Sequence, residues 1–406
     1  MTGSETGPAT GLPPFPWHRT CPMAPPERYA ELRSARPIAR VSLATGGQAW
    51  LVTRHDHVRA LLTDPRVSSD RGHEGYPYYF PVPPAFRTES SFLGWDPPKH
   101  SFHRRLVTIS GEFTKPRVRT IKPMIQRIVD ERVDALLAAG PPVDLVSALA
   151  LPVPLTVICT ILGIPVQDHE SLHARTEVLF GATSTAEDRE AALLGMNEYL
   201  AEVIDRKLAE PGDDLLSRIT RRYREVDSYD RRELVNLIRL LLNGGHEASA
   251  SMIALGVMTL LEHPDQLEVF KSDPSVVPGA VEELLRFLSP GDIAVSRIAL
   301  EDIGIGDVVV RAGEGMILLG AAANRDPAAF ENPDVFDVRR DASGHVALGH
   351  GVHRCLGAEI ARAELAIVLG TLFRRIPGLR LVKPWEELRF KDGALVYGLH
   401  EMPVSW

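Results

Sequence analysis

The chain has 406 residues, 44% of them hydrophobic and 24% charged, the proportions of a globular protein long enough for one large core or two ordinary ones. A net charge of -8 and a pI near 6.0 argue against nucleic acid as the main partner. Three cysteines, Cys21, Cys159 and Cys355, are odd in number and far apart, which argues against a disulfide framework and for a reducing, cytoplasmic setting.

Residues 1–25 are polar and proline-rich, without the basic start or apolar core of a secretory leader, and are expected to form an extended arm. The remainder, 26–406, is expected to be a single domain. "QAWLVTRHDHVRALLTDPRVSS" predicts a short strand followed by a helix. Residues 72–98 form an aromatic and proline-rich stretch, and loops of that length are commonly functional. From about residue 117 the pattern turns helical, with Val118, Ile121, Ile125, Ile128, Val133 and Leu136 at three- and four-residue steps. "LALPVPLTVICTILGIPV" is nearly long enough to cross a membrane. Pro152, Pro154 and Pro165 interrupt it and basic flanks are lacking, so it predicts a buried core helix. Helical patterns continue to about residue 290, and short strands follow in "RIALEDIGIGDVVVRAGEGMILLG". With no repeat and no linker between 117 and 370, the predicted class is mainly α with small β-sheets.

One helix stands out. "RELVNLIRLLLNGGHEASASMIALGVMTLLEH" contains no proline and spans about 45 Å at 1.5 Å per residue. Its two central glycines each cost roughly 1 kcal/mol relative to alanine, which predicts room for a ligand or a local widening. Asn236, Leu240, Asn243 and Gly244 fall on one stripe leading to Ala248. Asn243 is either satisfied by the helix itself or hydrogen-bonded to a polar substrate, because a buried amide needs a partner.

The stretch "HVALGHGVHRCLGAEIARAEL" places a cysteine before a helix whose apolar positions are Leu356, Ile360, Leu365, Val368 and Leu372. A helix N-terminus favours a thiolate. Gly349, Gly351 and Gly357 let the backbone pass close to a flat ligand. Three readings stand on spacing alone. Cys355 is an ordinary cysteine in a glycine loop, or a zinc ligand with His350 and His353, or a thiolate for haem iron. Zinc wants four ligands and no second cysteine is near.

"LGHGVHRCLG" resembles the haem-binding signature of the cytochrome P450 superfamily. The likeness runs over nearly the whole chain and includes "CPMAPPERY", similar to a segment of soluble actinobacterial members. The resemblance implies the cytochrome P450 fold, one haem b, and Cys355 as axial thiolate to the iron, with Leu348, Gly349 and Gly357 around it. Leu348 departs from the family's aromatic residue, which alters packing beside the sulfur. The resemblance further implies that Glu283 and Arg286 of "VEELLRFL", with Arg340 of "FDVRRD", form a buried structural ion network. It places His100 and Arg104 of "DPPKHSFHRRL", Arg297 and His353 on the haem propionates.

Along the long helix the family's Ala/Gly-Gly-x-Asp/Glu-Thr reads Gly244, Gly245, His246, Glu247, Ala248, so the threonine is missing and Ser249 follows. That acid–alcohol pair serves proton delivery during dioxygen activation. Glu247 and Ser249 are therefore the candidate catalytic pair, with Ala248 against the haem and Ile293 joining the substrate-side stripe. A substrate group or an ordered water completes the relay, or the reaction needs only radical formation.

The implied activity is a monooxygenase hydroxylating a secondary metabolite. The alternatives are oxidative C–C or C–N coupling of aromatic substrates such as diketopiperazines, and a non-catalytic haem sensor. Dioxygen is the implied co-substrate. Electrons come from NAD(P)H through ferredoxin reductase and a ferredoxin that docks at Arg105, Lys115 and Arg354. A cytoplasmic monomer without nucleic-acid or membrane partners is expected.

Overall fold

The computed structural model describes residues 11–79, 91–181, 184–226, 230–291 and 295–406. Its helices are α1 (Arg28–Ala35), α2 (His55–Leu61), α3 (Lys99–Thr108), α4 (Lys115–Ala139), α5 (Pro152–Leu162), α6 (His169–Phe180), α7 (Ala186–Ala209), α8 (Leu215–Arg224), α9 (Arg231–Glu262), α10 (Pro264–Ser272), α11 (Val277–Leu288), α12 (Gly320–Ala323) and α13 (Ala358–Arg375). The three- and four-residue spacing read in α4 becomes its buried face: Val118, Ile121, Ile125, Ile128, Val129, Val133 and Leu136 all enter the main core. Helix α5 is apolar nearly all round because it lies inside that core, and Gly163 ends it in the left-handed conformation. Among the described residues, no helix is long and apolar enough to cross a membrane.

The strands are β1 (Pro14–Phe15), β2 (Ile38–Leu43), β3 (Gln48–Val52), β4 (Val67–Ser68), β5 (Val143–Asp144), β6 (Ser296–Ala299), β7 (Ile303–Ile305), β8 (Val308–Val310), β9 (Gly315–Leu318), β10 (Arg380–Leu381) and β11 (Pro403–Ser405). They build a sheet ordered β1-β2-β3-β9-β6-β4, a β10-β11-β5 sheet and the β7-β8 hairpin. The described part of the arm, residues 11–25, is tied down. Pro14 and Phe15 pair in parallel with Ser42 and Leu43, and the Arg19 guanidinium donates to the carbonyls of Leu288 and Ser289, each at 3.1 Å.

Helix α9 starts on the Asp230 side chain, which accepts from the Arg232 N–H, and runs 32 residues without interruption. Its two glycines have separate causes. A Cβ on Gly245 would lie 2.9 Å from Ile158 Cγ1, so glycine is what lets α5 pack this closely. A Cβ on Gly244 would meet no described heavy atom within 4 Å, so that position opens onto space. The expected widening of the helix does not occur.

Behind the cysteine loop, Glu283 and Arg286 are both fully buried on α11. Arg286 Nε and Nη2 reach the Glu283 oxygens at 2.6 and 2.8 Å, and Nη1 donates to the carbonyls of Asn324 and Pro333, both at 2.8 Å. Arg340 Nε adds a bond to Glu283 Oε1 at 3.1 Å. Every remaining charge in the network thus has a partner, as burial demands. Replacing Glu283 or Arg286 by alanine leaves its partner buried and unpaired, at about 3–5 kcal/mol. Both variants should give little folded protein in expression and thermal-melt assays; wild-type yield and melting temperature would contradict the network's role.

Candidate functional site

The cysteine loop turns on two left-handed glycines. Gly349 has φ +70°, and Gly351 has φ +69° with its would-be Cβ 2.5 Å from the Leu62 carbonyl oxygen, a backbone atom that cannot yield. The Cys355 N–H closes the loop on the Leu348 carbonyl at 2.8 Å. Cys355 retains a large open surface although protein surrounds it on its other sides. Burial pushes its thiol up, while the Gly357 N–H and the guanidiniums of Arg104, Arg362 and Arg354 pull the other way. That environment stabilises a thiolate once a metal displaces its proton. Zinc finds no support, since no metal-binding group of three His, Cys, Asp or Glu exists among the described residues.

Four side chains from three parts of the chain converge beside this loop. The rings of His100 and His353 lie 4.2 Å apart. Arg104 Nη2 donates to the Arg354 carbonyl at 2.6 Å. Arg297, on β6, is 8% exposed and donates to the neighbouring Ser296 carbonyl at 2.8 Å. Burial, then the nearby Arg297, His100 and Arg104, holds His353 down to about 3. Burial, then Arg104, lowers His100. Both nitrogens of His100 and Nδ1 of His353 have no hydrogen-bond partner among the described residues, and Ser69 Oγ meets His353 Nε2 at 3.0 Å. Two guanidiniums beside two neutral imidazoles with unused ring nitrogens are a donor set for a buried dianion, so these residues fit the two carboxylates of haem.

On α9, Gly244 and Ala248 are exposed and Leu240 and Asn243 half-buried, although the helix around them is buried. Asn236 lies outside this open stripe, at 3% exposure. Asn243 Oδ1 sits 3.4 Å from Thr176 Oγ1, whose shorter bond goes to the Leu172 carbonyl at 2.9 Å. Ile293 lies outside the described residues.

The candidate catalytic pair is split. Glu247 accepts from Lys391 Nζ at 2.6 Å in a pair whose side chains are 7% and 16% exposed. Lys391 is brought there by the chain near Gly398, whose backbone presses on α9 so closely that a Cβ would sit 2.4 Å from Ser251 Oγ. Ser249 instead hydrogen-bonds Glu364 of α13, a carboxyl that burial raises to about 8 against that bond. Ser249 could serve the groove only by turning into it, since adjacent helix positions point about 100° apart; its hydroxyl is instead bonded to Glu364 of α13.

Sequence reasoning missed Lys391 and Glu364, and also a second brace. Glu282 takes two bonds from Arg362, at 2.5 and 2.8 Å, and one from His345 Nε2 at 3.1 Å. Burial opposes its ionisation, but Arg362 and His345 win and hold it down to about 2. The His345 Nδ1 accepts from the Ala347 N–H at 3.1 Å, which assigns the proton to Nε2. A glutamate nearly two turns into the helix after the cysteine, Glu364, among the apolar positions Ile360, Leu365 and Val368, was the available sequence signal.

Comparison with known proteins gives the following. The family model described as Cytochrome P450 matches residues 275–377. Pentalenic acid synthase of Streptomyces avermitilis is 45% identical over 405 residues, covering 99% of this chain and all of that protein. Vitamin D3 dihydroxylase of Streptomyces griseolus is 44% identical over 412 residues, with both chains fully covered. Among solved structures, cytochrome P450 MoxA from Nonomuraea recticatena superimposes with a TM-score of 0.88 at 47% identity, covering 97% of this chain and 98% of that one. The mycinamicin VIII methyl hydroxylase MycCI from Micromonospora griseorubida gives 0.91 at 39% identity, over 97% and 100%.

Two measurements test the site. The reduced, carbon monoxide-treated protein should show the red-shifted band of thiolate-ligated haem, and Cys355→Ala should lose it; a band that survives the substitution contradicts the ligand assignment. Burial raises Glu364 to about 8 in the folded chain from its ordinary 4.5, so it costs stability as pH rises from about 4.5 to about 8. The unfolding free energy of Glu364→Gln minus that of wild type should therefore grow by a few kcal/mol across that window. A pH-independent difference would show that Glu364 is ionised like an exposed carboxylate.

Proposed function

The chain belongs to the cytochrome P450 family and is a monooxygenase of natural-product metabolism, and on that premise we propose how its residues divide the work. Haem bound at the cysteine loop supplies the iron at which dioxygen is activated. Cys355 ligates that iron, supported by the Gly357 N–H and the guanidiniums around the sulfur. His100, Arg104, Arg297 and His353 hold the propionates. Leu240, Asn243, Gly244 and Ala248 form one wall of the substrate groove, and Asn243 offers its amide to a polar substrate group.

Proton handling is where this chain departs from its family. Ala248 has no hydroxyl. Glu364 holds a proton at neutral pH and keeps the Ser249 hydroxyl bonded to α13, away from the groove. Glu247 is held by Lys391. A substrate hydroxyl or amide, or an ordered water, fills the place of the missing alcohol. Hydroxylation is the leading reaction. Oxidative coupling is the second reading, favoured by Ala248, since coupling through radicals needs no alcohol there. A haem sensor would have no use for Glu247 on the distal helix or for the exposed basic residues Arg105, Lys115 and Arg354.

The reaction requires an electron donor, and a ferredoxin fits the proximal face, where Arg105, Lys115 and Arg354 are exposed beside the apolar Phe102, Ile109 and Val352. Its electrons come from NAD(P)H through a reductase, in a reducing cytoplasm. The observation that carries this reading is the convergence of two arginines and two histidines with unused nitrogens beside Cys355. Turnover with labelled dioxygen and peroxide quantitation tests the chemistry. Labelled oxygen in the product is expected, and an unlabelled coupled product overturns hydroxylation in favour of coupling. A substrate analogue without the polar group should bind yet release most of its electrons as peroxide, and Ala248→Thr should restore coupling with it. A positioned relay is worth about a hundredfold, so an unchanged peroxide yield would contradict the substrate-completed relay.

A further inference from the structure

Between α6 and α9 lies a polar seam that none of the roles above uses. His246 is completely buried, with its ring edge-on to His173 at 5.3 Å between centroids and 79° between planes. Neither ring nitrogen of His246, nor Nδ1 of His173, has a hydrogen-bond partner among the described residues; the Leu151 carbonyl is near His246 but outside hydrogen-bond geometry. One turn along each helix the seam continues, with Thr176 of α6 facing Asn243 of α9. Its outer end is His173, which is partly exposed, and its inner end is Asn243 at the open stripe, with Glu247 buried one turn farther along α9. Buried polar nitrogens without protein partners are normally satisfied by ordered water.

We propose that the His173–His246 seam holds ordered water and is the inlet through which protons from solvent reach the distal groove at Glu247. The inference rests on the monooxygenase reading. Hydroxylation of a C–H bond combines substrate, dioxygen, two electrons and two protons into alcohol and water. The electrons come from the redox partner, and both protons must come from solvent. A neutral imidazole has one bare nitrogen and one N–H. It takes a proton at the first and releases one from the second, and a ring turn restores it. His246 is kept neutral for this: burial lowers it to about 4, against the charge of Glu247 and with the help of His173 and Lys391. Lys391 holds Glu247 at the receiving end.

The test uses haem-loaded protein labelled with 15N-histidine, reduced and bound to carbon monoxide so that it is diamagnetic. The His246 signal is assigned by its loss in His246→Gln. Exchange of its ring N–H with water should take seconds or less and slow at least tenfold in His173→Phe, a change at a partly exposed position that spares the core. A ring N–H protected for hours, or exchange indifferent to His173→Phe, overturns the inlet. In turnover, both variants should keep haem content and ligand-induced spectral shifts, lose several-fold in product per NAD(P)H, gain peroxide, and show an altered solvent deuterium isotope effect. Wild-type coupling with an unchanged isotope effect in both variants also overturns it. A wild-type protein with no oxygen-dependent turnover would instead sink the monooxygenase reading, and the exchange measurement would still decide whether the seam conducts protons.

Discussion

The proximal half of the molecule hangs on one buried guanidinium. Arg286 satisfies both oxygens of Glu283 and then extends Nη1 to the carbonyl of Asn324. The Asn324 side chain accepts from the Val346 N–H at 2.8 Å and donates to Ser289 Oγ at 2.8 Å, so the start of the cysteine loop is tied to α11 through a single residue. Next to it, Glu282 locks His345 at the loop's beginning to Arg362 on α13, beyond its end. Two adjacent glutamates of α11 therefore hold both ends of the segment that carries Cys355. A loop built on glycines has no intrinsic reason to keep one shape. Here the ion networks supply that reason, and their cost in desolvation is met by the number of bonds each charge makes.

The same logic runs in reverse on the other side of the cysteine. Burial, then the guanidiniums of Arg104 and Arg297, keeps His100 and His353 neutral, and the two imidazoles leave ring nitrogens unused. A cluster of that kind costs free energy in isolation and repays it when an anion arrives, which is how a site is made selective for a dianionic cofactor. Structural and binding charges in this chain can thus be told apart by their partners: the first set is saturated within the protein, the second is not.

Much of this was legible in the sequence, and the reason is locality. The apolar face of α4 and the long proline-free α9 are patterns within one element, and periodicity reads them; the parts given to Glu283, Arg286 and Cys355 come from the resemblance of short local motifs to a family. Partners that close over long separations were not legible. Lys391 reaches Glu247 across 144 residues, and nothing near Lys391 marks it. Ser249 was read as a possible partner in the groove because it follows Ala248, but one step along a helix changes the direction of a side chain, and Glu364 on another helix claims it. The glycine pair of α9 shows the same limit. Sequence marks two unfavourable residues, whereas only packing reveals that Gly245 admits α5 and Gly244 faces the open stripe. The arm likewise owes its pairing with β2 to contacts no local pattern encodes.

Complementarity between two carboxylates and a donor set of two guanidiniums and two neutral imidazoles is the basis of cofactor capture proposed for this chain. Titrating the apoprotein with haem and with its dimethyl ester, in which both carboxylates are neutral, tests that claim directly. Charge-assisted hydrogen bonds are worth about 1.5–3 kcal/mol each, so the ester should bind on the order of a hundredfold more weakly or worse. Equal affinity for haem and its ester would contradict the account.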